Sequence, residues 1–481
     1  MSDNKKLQEK RIKNFHDFYN NRIPDHVPTG YMISHYLVAE YGGQNLFDYQ
    51  YDYGRLREPA LSLDKRIISD VTPILPCSQV LNRPAEFYQI LGSQSFVMGK
   101  NGVVQHPEVV GMQSDEYRSL IDNPFSFLME TVIPRQYKNL DPADGIKTAA
   151  TIMKAQSSLD KSINASLPWF MEITEQGGHY PGAPAGSSGM TEAPFDFIAD
   201  QLRSFSGVSM DIRRHRSELK EACEALLPVL FEWGRPQVPN PEGSVFIPLH
   251  MPTFMREKDF LDLWLPTFKT MIEQYSALGV RCNIFCEDDW TRYLDVLQDF
   301  PAGTQMCFEF GNPQLIKDKL DDKMIIQGLF PVSALRGTKE EVVSKARELL
   351  DIMMPGGGYY FHFDKNPFLL NEVNIDNWAA LSEAVAKYGV YKNAGESCGT
   401  QLNAEGFVFD PGKFRPIESR YLTTWEAFKT ENPLVPEIAK GNLAQLNSEL
   451  INFFMYLLVL DEKEPRDEVP RLLFLYFKQI P

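Results

Sequence analysis

Short apolar runs alternate with longer amphipathic stretches along most of this chain. This alternation predicts repeated βα units around a parallel sheet. The longer stretches Lys5–Tyr19, Lys258–Leu278 and Lys339–Met353 are predicted helices, the first of them on the surface, and Thr338 with Glu341 forms a capping box before the third. The eight predicted strands are Val27–Ile33, Arg66–Ile74, Leu167–Thr174, Ser244–His250, Val280–Cys286, Thr304–Phe310, Met324–Leu329 and Tyr359–Phe363.

Eight strands with helices between them favour a closed (β/α)8 barrel, a TIM barrel, over an open doubly wound sheet. No GxGxxG motif follows the first strand, as it does in dinucleotide-binding open sheets. We expect the barrel, with an N-terminal helical lead, to occupy residues 1–395. Residues 396–481 form a predicted C-terminal helical extension. Its apolar segments must be covered, by the barrel, by a second copy in a homodimer or by another partner.

The overall charge disfavours two classes of partner, nucleic acids and anionic membranes. The chain has 481 residues, with 48 Lys and Arg against 64 Asp and Glu, a formal net charge of −16. An acidic protein repels nucleic acid and anionic membranes, so neither is an expected partner. Six cysteines are too few for a disulfide scaffold and indicate a reducing compartment. The polar start and the short longest apolar run, Ile451–Leu460, predict a cytoplasmic protein without a signal peptide or membrane span.

Candidate site residues follow from the barrel, since its chemistry lies at the carboxyl ends of the strands. Acidic residues and histidines concentrate after the predicted strands, although Asp70 lies within the second. With the serine, cysteines and lysine at the same places, the candidate residues are Ser34, His35, Asp70, His179, His250, Cys286, Glu287, Asp288, Asp289, Cys307, Glu309, His362, Asp364 and Lys365. We predict that these side chains converge on one barrel mouth.

Each candidate has a structural alternative. The crowded carboxylates Glu287, Asp288 and Asp289 raise one another's pKa and suit a general acid, or they form a solvated helix start. Cys282 and Cys286 lie about 13 Å apart on a strand and cannot bind one metal together. A second set has equal claims as ligands or as structural groups: His179, His250, Glu309, His362 and Lys365, the last of which has Asp364 as a neighbouring ion-pair partner.

Two segments carry a family resemblance. One contains GLFPVSALRGTKEEVVSKARELLDIMMPGGGYYFHFDKNP followed by NWAALSEAVAKYG, and the other is RIPDHVPTGYMISHYLVAEYGG. Both are similar to the uroporphyrinogen-decarboxylase superfamily, over roughly Ile23 to Gly389. The resemblance implies a (β/α)8 barrel and one of two chemistries. True decarboxylases remove carboxylates from a porphyrinogen without a cofactor. Other members transfer a methyl group between a corrinoid protein and an acceptor, usually with zinc.

The residues at the matching positions favour methyl transfer. A porphyrinogen carries eight carboxylates and needs arginine partners. The positions of the family's two arginines fall in Ile33–Tyr36, which contains no arginine, and Lys365 replaces the family's last-strand histidine. Asp70 matches the aspartate that binds pyrrole N–H groups. We therefore expect porphyrin decarboxylation to be the less favoured activity.

The zinc ligands of the methyltransferase members are only partly matched. Cys286 falls on one cysteine position, but Ile284 replaces the histidine before it, and Gly357 or Gly358 replaces the second cysteine. Zinc, where bound, would use a different set drawn from Cys286, Glu287, Glu309 and His362, and would act as a Lewis acid.

The sequence thus predicts an enzyme that transfers a methyl group from a small donor, such as a methoxy compound, to a corrinoid protein. Asp288 or Asp289 is the expected proton donor, and Asp70 is expected to bind a polar substrate group. His179, His250, Glu309, His362 and Lys365 are expected to contact the substrate. The alternatives are a porphyrinogen-type decarboxylase and a non-catalytic barrel that binds a small ligand.

Overall fold

A six-stranded parallel sheet forms most of the barrel wall in the computed structural model, which describes residues 3–74, 83–404, 408 and 418–458. Its strands pair in sequence order. They are β3 (Gly189–Met190), β4 (Ser244–Leu249), β5 (Arg281–Asp289), β6 (Gln305–Phe310), β7 (Ile325–Phe330) and β8 (Tyr359–Phe363). A separate antiparallel pair joins β1 (Val97–Met98) to β2 (Val104–Gln105).

Single parallel bridges close the barrel. Thr29 pairs with Phe361 of β8, Ile33 pairs with Ile74, and Val71 pairs with Tyr180. Segments 28–33 and 69–74 therefore take the places of the first two barrel strands, which are called staves here because their pairing is limited to single bridges. Tyr180 and β3 share the third stave. The chain is an α/β protein with a (β/α)8 barrel, as predicted, with helices before and after it.

Helices surround the wall. The α-helices are α1 (Asp3–Tyr19), α2 (His35–Tyr41), α3 (Arg57–Asp64), α4 (Ala85–Leu91), α5 (Tyr117–Asp122), α6 (Pro124–Phe127), α7 (Ile133–Gln136), α8 (Gly145–Gln176), α9 (Pro194–Phe197), α10 (Phe205–Arg214), α11 (Arg216–Gly234), α12 (Glu257–Asp259), α13 (Leu265–Ala277), α14 (Leu294–Leu297), α15 (Pro313–Leu320), α16 (Lys339–Met353), α17 (Ile375–Tyr388), α18 (Trp425–Glu431) and α19 (Ala439–Leu457). Short 3-10 helices cover Tyr49–Tyr51, Tyr53–Leu56, Pro252–Phe254, Thr291–Tyr293, Val332–Arg336 and Leu370–Glu372, and π-helices cover Leu128–Val132, Ile198–Arg203 and Phe260–Trp264. No helix in the described part of the chain is long and apolar enough to cross a bilayer.

The last five predicted strands are confirmed as β4 to β8, and α16 has its predicted bounds and capping box. The predicted third strand, Leu167–Thr174, is wrong, because it lies inside the 32-residue helix α8. The buried positions of that helix, among them Ser162, Ser166, Trp169 and Ile173, recur every three or four residues. This is the period of a helical face and not of a strand.

Helix α1 is the amphipathic surface helix that the sequence predicts: Lys6, Lys10 and Lys13 are exposed, and the opposite face is buried. Phe15 is buried and stacks on Tyr180 with ring centroids 4.2 Å apart. The carbonyl oxygen of Tyr19 accepts a hydrogen bond from Arg281 Nη2 at 2.9 Å, where β5 begins. Since strands begin at this end, α1 covers the amino-terminal end of the barrel.

The end of α19 is attached to the segment between the second and third staves. Arg83 Nη1 donates to the carbonyl oxygen of Tyr456 at 2.8 Å, and the Tyr137 hydroxyl donates to that of Leu457 at 2.6 Å. The division at residue 395 and the homodimer stay predictions. The apolar LLFLYF segment and Cys77 lie outside the described residues.

Candidate active site

A cavity of about 730 Å³ occupies the barrel interior. Alternation along the strands decides which side chains line it. On β5, Asn283 and Phe285 face the cavity, whereas Ile284 and Cys286 are fully buried on the opposite side, toward α13. The aromatic lining consists of Tyr19, Tyr31, Phe96, Phe170, Phe246, Phe285, Tyr360 and Phe368, and the polar lining includes Asn283, Gln305, Cys307, Gln327, His362, Asp364, Lys365 and Asn366. The interior is thus an open, largely apolar pocket.

A cluster of carboxylates surrounds His250 at the carboxyl end of β4. Nδ1 of the imidazole lies 2.5 Å from Asp200 Oδ2, and Nε2 lies 3.3 Å from Glu287 Oε2. Burial opposes the charged ring, but the hydrogen bond and charge of Asp200, with the charges of Asp196 and Glu287, raise the pKa of His250 to about 10. The ring is therefore protonated at neutral pH and has a proton to donate.

Two buried carboxyl groups lie behind this histidine. Asp196 accepts hydrogen bonds from the indole N–H of Trp264 at 3.0 Å and from the backbone N–H of His250 at 3.1 Å. Burial and the charge of Asp200 raise the pKa of Asp196 to about 7. Burial, with the charge of Asp200, also holds the pKa of Glu192 well above its ordinary value. The cluster therefore contains carboxyl groups that bind protons more readily than usual, as well as ionised carboxylates.

Sequence reasoning missed Glu192, Asp196 and Asp200. They occur every four residues in TEAPFDFIADQL, and that spacing was the available signal, since such positions share one helical face. His106, which lines the cavity, was also missed. Burial lowers its pKa, and the charges of Asp200 and His250 act on it in opposite directions. The cluster residues are not among those that line the cavity, but His250 directly follows β4, whose Phe246 does line it.

The predicted acidic triplet after β5 divides among three environments. Glu287 faces His250. Asp288 has a left-handed backbone, with φ of 63°, and its N–H donates to Glu309 Oε2 at 2.9 Å. Asp289 is exposed, and its carboxylate accepts the backbone N–H of Thr291, two residues on, as in an Asx turn.

Glu309 and Lys365 form an ion pair at the rim. Lys365 Nζ lies 3.2 Å from Glu309 Oε1, and the lysine side chain is 53% exposed. Asp364 accepts backbone N–H groups from Val332 and Lys365 instead of the ammonium group. Together with His250 and Glu287, this pair lies at the carboxyl ends of the strands, where the sequence predicted it.

Asp70 lies at the other end of the barrel, so the prediction that it faces the mouth is corrected. Asp70 lies near the start of the second stave, residues 69–74, and not after its end. Its carboxylate lies 3.2 Å from Arg11 Nε and 3.0 Å from His26 Nε2, and it accepts the Thr29 N–H at 2.9 Å. Although burial acts in the opposite direction, these partners lower the pKa of Asp70. The group is saturated and has no free face for a substrate.

His179 belongs to the same end and is also removed from the predicted mouth. Its Nε2 lies 2.8 Å from Asp64 Oδ1, and its Nδ1 lies 3.0 Å from the carbonyl oxygen of Ser69. The ring is buried, so it is not available to a substrate. Both ring nitrogens are used within the fold.

The predicted metal ligand Cys286 points away from the cavity. Its thiol is fully buried, and burial raises its pKa well above the ordinary value, which disfavours the thiolate that binds zinc. Among residues 3–74, 83–404, 408 and 418–458, no group of three His, Cys, Asp or Glu side chains could hold a metal ion. The predicted zinc set of Cys286, Glu287, Glu309 and His362 therefore does not fit the geometry.

Comparison with known proteins identifies the family. A model described as Uroporphyrinogen decarboxylase (URO-D) matches residues 143–388, just over half of the chain, which include β3 to β8, His250 and Glu287. No curated protein matches the sequence. The chain belongs to the URO-D family, whose members are enzymes, either decarboxylases or methyltransferases.

Proposed function

We propose that this enzyme is a methyltransferase that moves a methyl group from a small, largely apolar methylated substrate to a corrinoid protein. The lining of the barrel cavity is the observation that carries this proposal. The cavity is rich in aromatic side chains, and Lys365 is the one lysine or arginine among the described residues that line it. Such a pocket suits a neutral aromatic ring.

The same lining disfavours a porphyrinogen substrate. Eight carboxylates need several cationic partners, and the ammonium group of Lys365 is already paired with Glu309. Asp200, Glu287 and Glu309 add negative charge at the mouth, which repels a polyanion. Decarboxylation of a porphyrinogen is the alternative that the experiment below tests.

The acid cluster fits the chemistry of ether cleavage. When a methyl group leaves a methoxy substrate, the C–O bond breaks and the oxygen keeps the electron pair, so it needs a proton. The corrinoid of the partner protein supplies the cobalt that accepts the methyl group. His250 is the proposed proton donor in place of Asp288 or Asp289, since it is protonated and follows β4 at the same alternation as Phe246, which lines the cavity.

Asp200 and Glu287 would orient the imidazole from its two nitrogens and favour its protonated form. Asp196 would return a proton to the cluster after each turnover, because its pKa of about 7 leaves it partly protonated near neutral pH. No zinc ligand set fits among the described residues, so no step is assigned to zinc.

A transfer assay tests this function. The purified chain is incubated with a reduced corrinoid protein and a panel of methoxybenzenes. Methylation of the corrinoid is followed by absorption and loss of the ether by mass spectrometry. We expect both signals together, and we expect them to be lost in His250→Asn but kept in His26→Asn, the matched change at the opposite end of the barrel. Decarboxylation of uroporphyrinogen, without methyl transfer, would overturn the proposal.

A further inference from the structure

His362 presents an unused nitrogen to the barrel cavity. It lies on β8 between Tyr360 and Asp364, and all three side chains line the cavity. The imidazole is only 4% exposed. Its Nε2 has no hydrogen-bond partner among the described residues. A buried polar atom without a partner is costly, so one on a side chain that lines a cavity indicates a missing ligand.

The other ring nitrogen determines what that ligand must offer. Nδ1 lies 2.9 Å from the carbonyl oxygen of Phe363. A carbonyl oxygen can only accept, so Nδ1 carries the proton and donates it. Burial lowers the pKa of His362 and keeps the ring neutral. In this tautomer, Nε2 holds a lone pair and can only accept.

Two further atoms in the same cavity need a donor. The Oδ1 atoms of Asn283 and Asn366 also have no partner within the described ranges. The side chains of Gln305 and Gln327, in contrast, are joined by a hydrogen bond of 2.5 Å from Gln305 Nε2 to Gln327 Oε1. The hydroxyl of Tyr31, which can donate or accept, also has no partner in the described ranges, so the unpartnered buried atoms of the cavity wall are three acceptors and one hydroxyl. Acceptors repel a carboxylate or phosphate oxygen and attract an O–H or N–H group.

We propose that the natural ligand of this cavity is a neutral aromatic compound with a hydroxyl or amino group, and that this group donates a hydrogen bond to Nε2 of His362. The methoxy group of this ligand is inferred from the proposed methyltransferase function, and the inference rests on that function for this group alone. His362 is a specificity-determining residue. It selects a ring that carries a donor beside its methoxy group over a ring that carries methoxy groups only.

The test uses two probes that differ at one oxygen. Guaiacol carries one methoxy group and one neighbouring hydroxyl group on a benzene ring, and in veratrole a second methoxy group replaces the hydroxyl. Calorimetric titration of the purified chain should show guaiacol bound about tenfold more tightly, the effect of one hydrogen bond to a buried acceptor. His362→Phe should bind both probes alike. Phe285→Leu, which changes the apolar lining, should alter both affinities but keep their ratio.

Nitrogen NMR of histidine-labelled wild type gives a second measurement, which does not depend on a variant that folds. The resonance of the unprotonated Nε2 of His362 should shift on addition of guaiacol and stay in place on addition of veratrole. Equal affinities in the wild type, binding of neither probe, or a preference that survives in His362→Phe would each overturn the inference. Selective binding of guaiacol without any methyl transfer would leave the inference standing and overturn the proposed function.

Discussion

The two ends of the barrel both collect carboxylates and histidines, but they differ in how completely these groups are bonded. At the amino-terminal end, Arg11, His26 and Thr29 surround Asp70, and both nitrogens of His179 are used. At the mouth, both nitrogens of His250 also face carboxylates, but these carboxylates outnumber the imidazolium, and Glu192 Oε2 has no partner in the described part of the chain. A saturated network holds a structure together, whereas an unsaturated one beside a cavity can act on a ligand.

Replacing the mouth histidine should give the largest effect. We expect His250→Asn to lower the rate of methyl transfer by about 10²–10⁴-fold, because the leaving oxygen then lacks its proton donor. The free energy of unfolding should fall as well, because the folded state favours the protonated ring, so the rate is compared per folded molecule. Single-turnover kinetics measure the rate, and His26→Asn is the matched control. An undiminished rate in His250→Asn would place the proton donor elsewhere.

The opposite outcome is expected at the amino-terminal end. Asp70→Asn removes the charge that compensates buried Arg11, so the free energy of unfolding should fall by about 3 kcal/mol. Urea denaturation measures this change, while the rate per folded molecule should stay near that of the wild type. Lys6→Ala, which breaks an exposed ion pair with Asp3 on the same helix, should change stability by less than about 1 kcal/mol. A stable but inactive Asp70→Asn protein would return Asp70 to the active site.

The pH dependence of stability separates the two ends more finely. The pKa of His250 is raised from 6.5 to about 10 in the folded protein. Its stabilisation is therefore fully present below pH 6.5 and is lost as the pH rises toward about 10.

Asp200→Asn removes the main cause of this rise. The melting temperature of the wild type, relative to this variant, should be highest below pH 6.5 and should decline toward about pH 10. Scanning calorimetry at several pH values measures the difference, and Lys6→Ala should show no comparable trend. A difference between wild type and Asp200→Asn that grows with pH would contradict the assignment.

The smallest effect is expected within the mouth itself. Glu309→Gln breaks the ion pair with Lys365, whose side chain is half-exposed, so stability should change by no more than about 1 kcal/mol. Chemical denaturation measures this change. The methyl-transfer rate should fall far less than in His250→Asn. Loss of activity as deep as in His250→Asn would show that Glu309 takes part in proton transfer.

The sequence predicted the second half of the barrel better than the first. Strands β4 to β8 are apolar runs between clear helical patterns, and each was located. The third stave has only two residues in regular pairing, at Gly189 and Met190, which is too short for periodicity to detect. Leu167–Thr174 is equally apolar, but it owes this to one face of a long helix.

The candidate site was predicted in part for a related reason. The rule that polar groups follow strands predicted His250, Glu287, Glu309 and Lys365 at the carboxyl ends of strands, where they lie, and His362 lines the cavity; their roles toward a substrate stay predictions. It failed for Asp70, because the carboxylate lies where its stave begins. It also failed for Glu192, Asp196 and Asp200, which are carried by a loop and a helix after a strand that had been misplaced. Whether a polar group is structural or reactive depends on how many of its hydrogen bonds are already made. These bonds join segments that are distant in sequence, so the sequence alone does not predict them.

The position of helix α1 has a consequence for synthesis on the ribosome. This helix is synthesised long before its partner, because the arginine that binds its last residue, Arg281, follows Tyr19 by 262 residues. At a typical elongation rate this interval lasts roughly 13–50 seconds. During that time, the apolar face with Phe15 and Phe18 has no barrel end to cover. We expect the nascent chain to need a holding chaperone for this interval, and to aggregate when translation pauses before β8 is released.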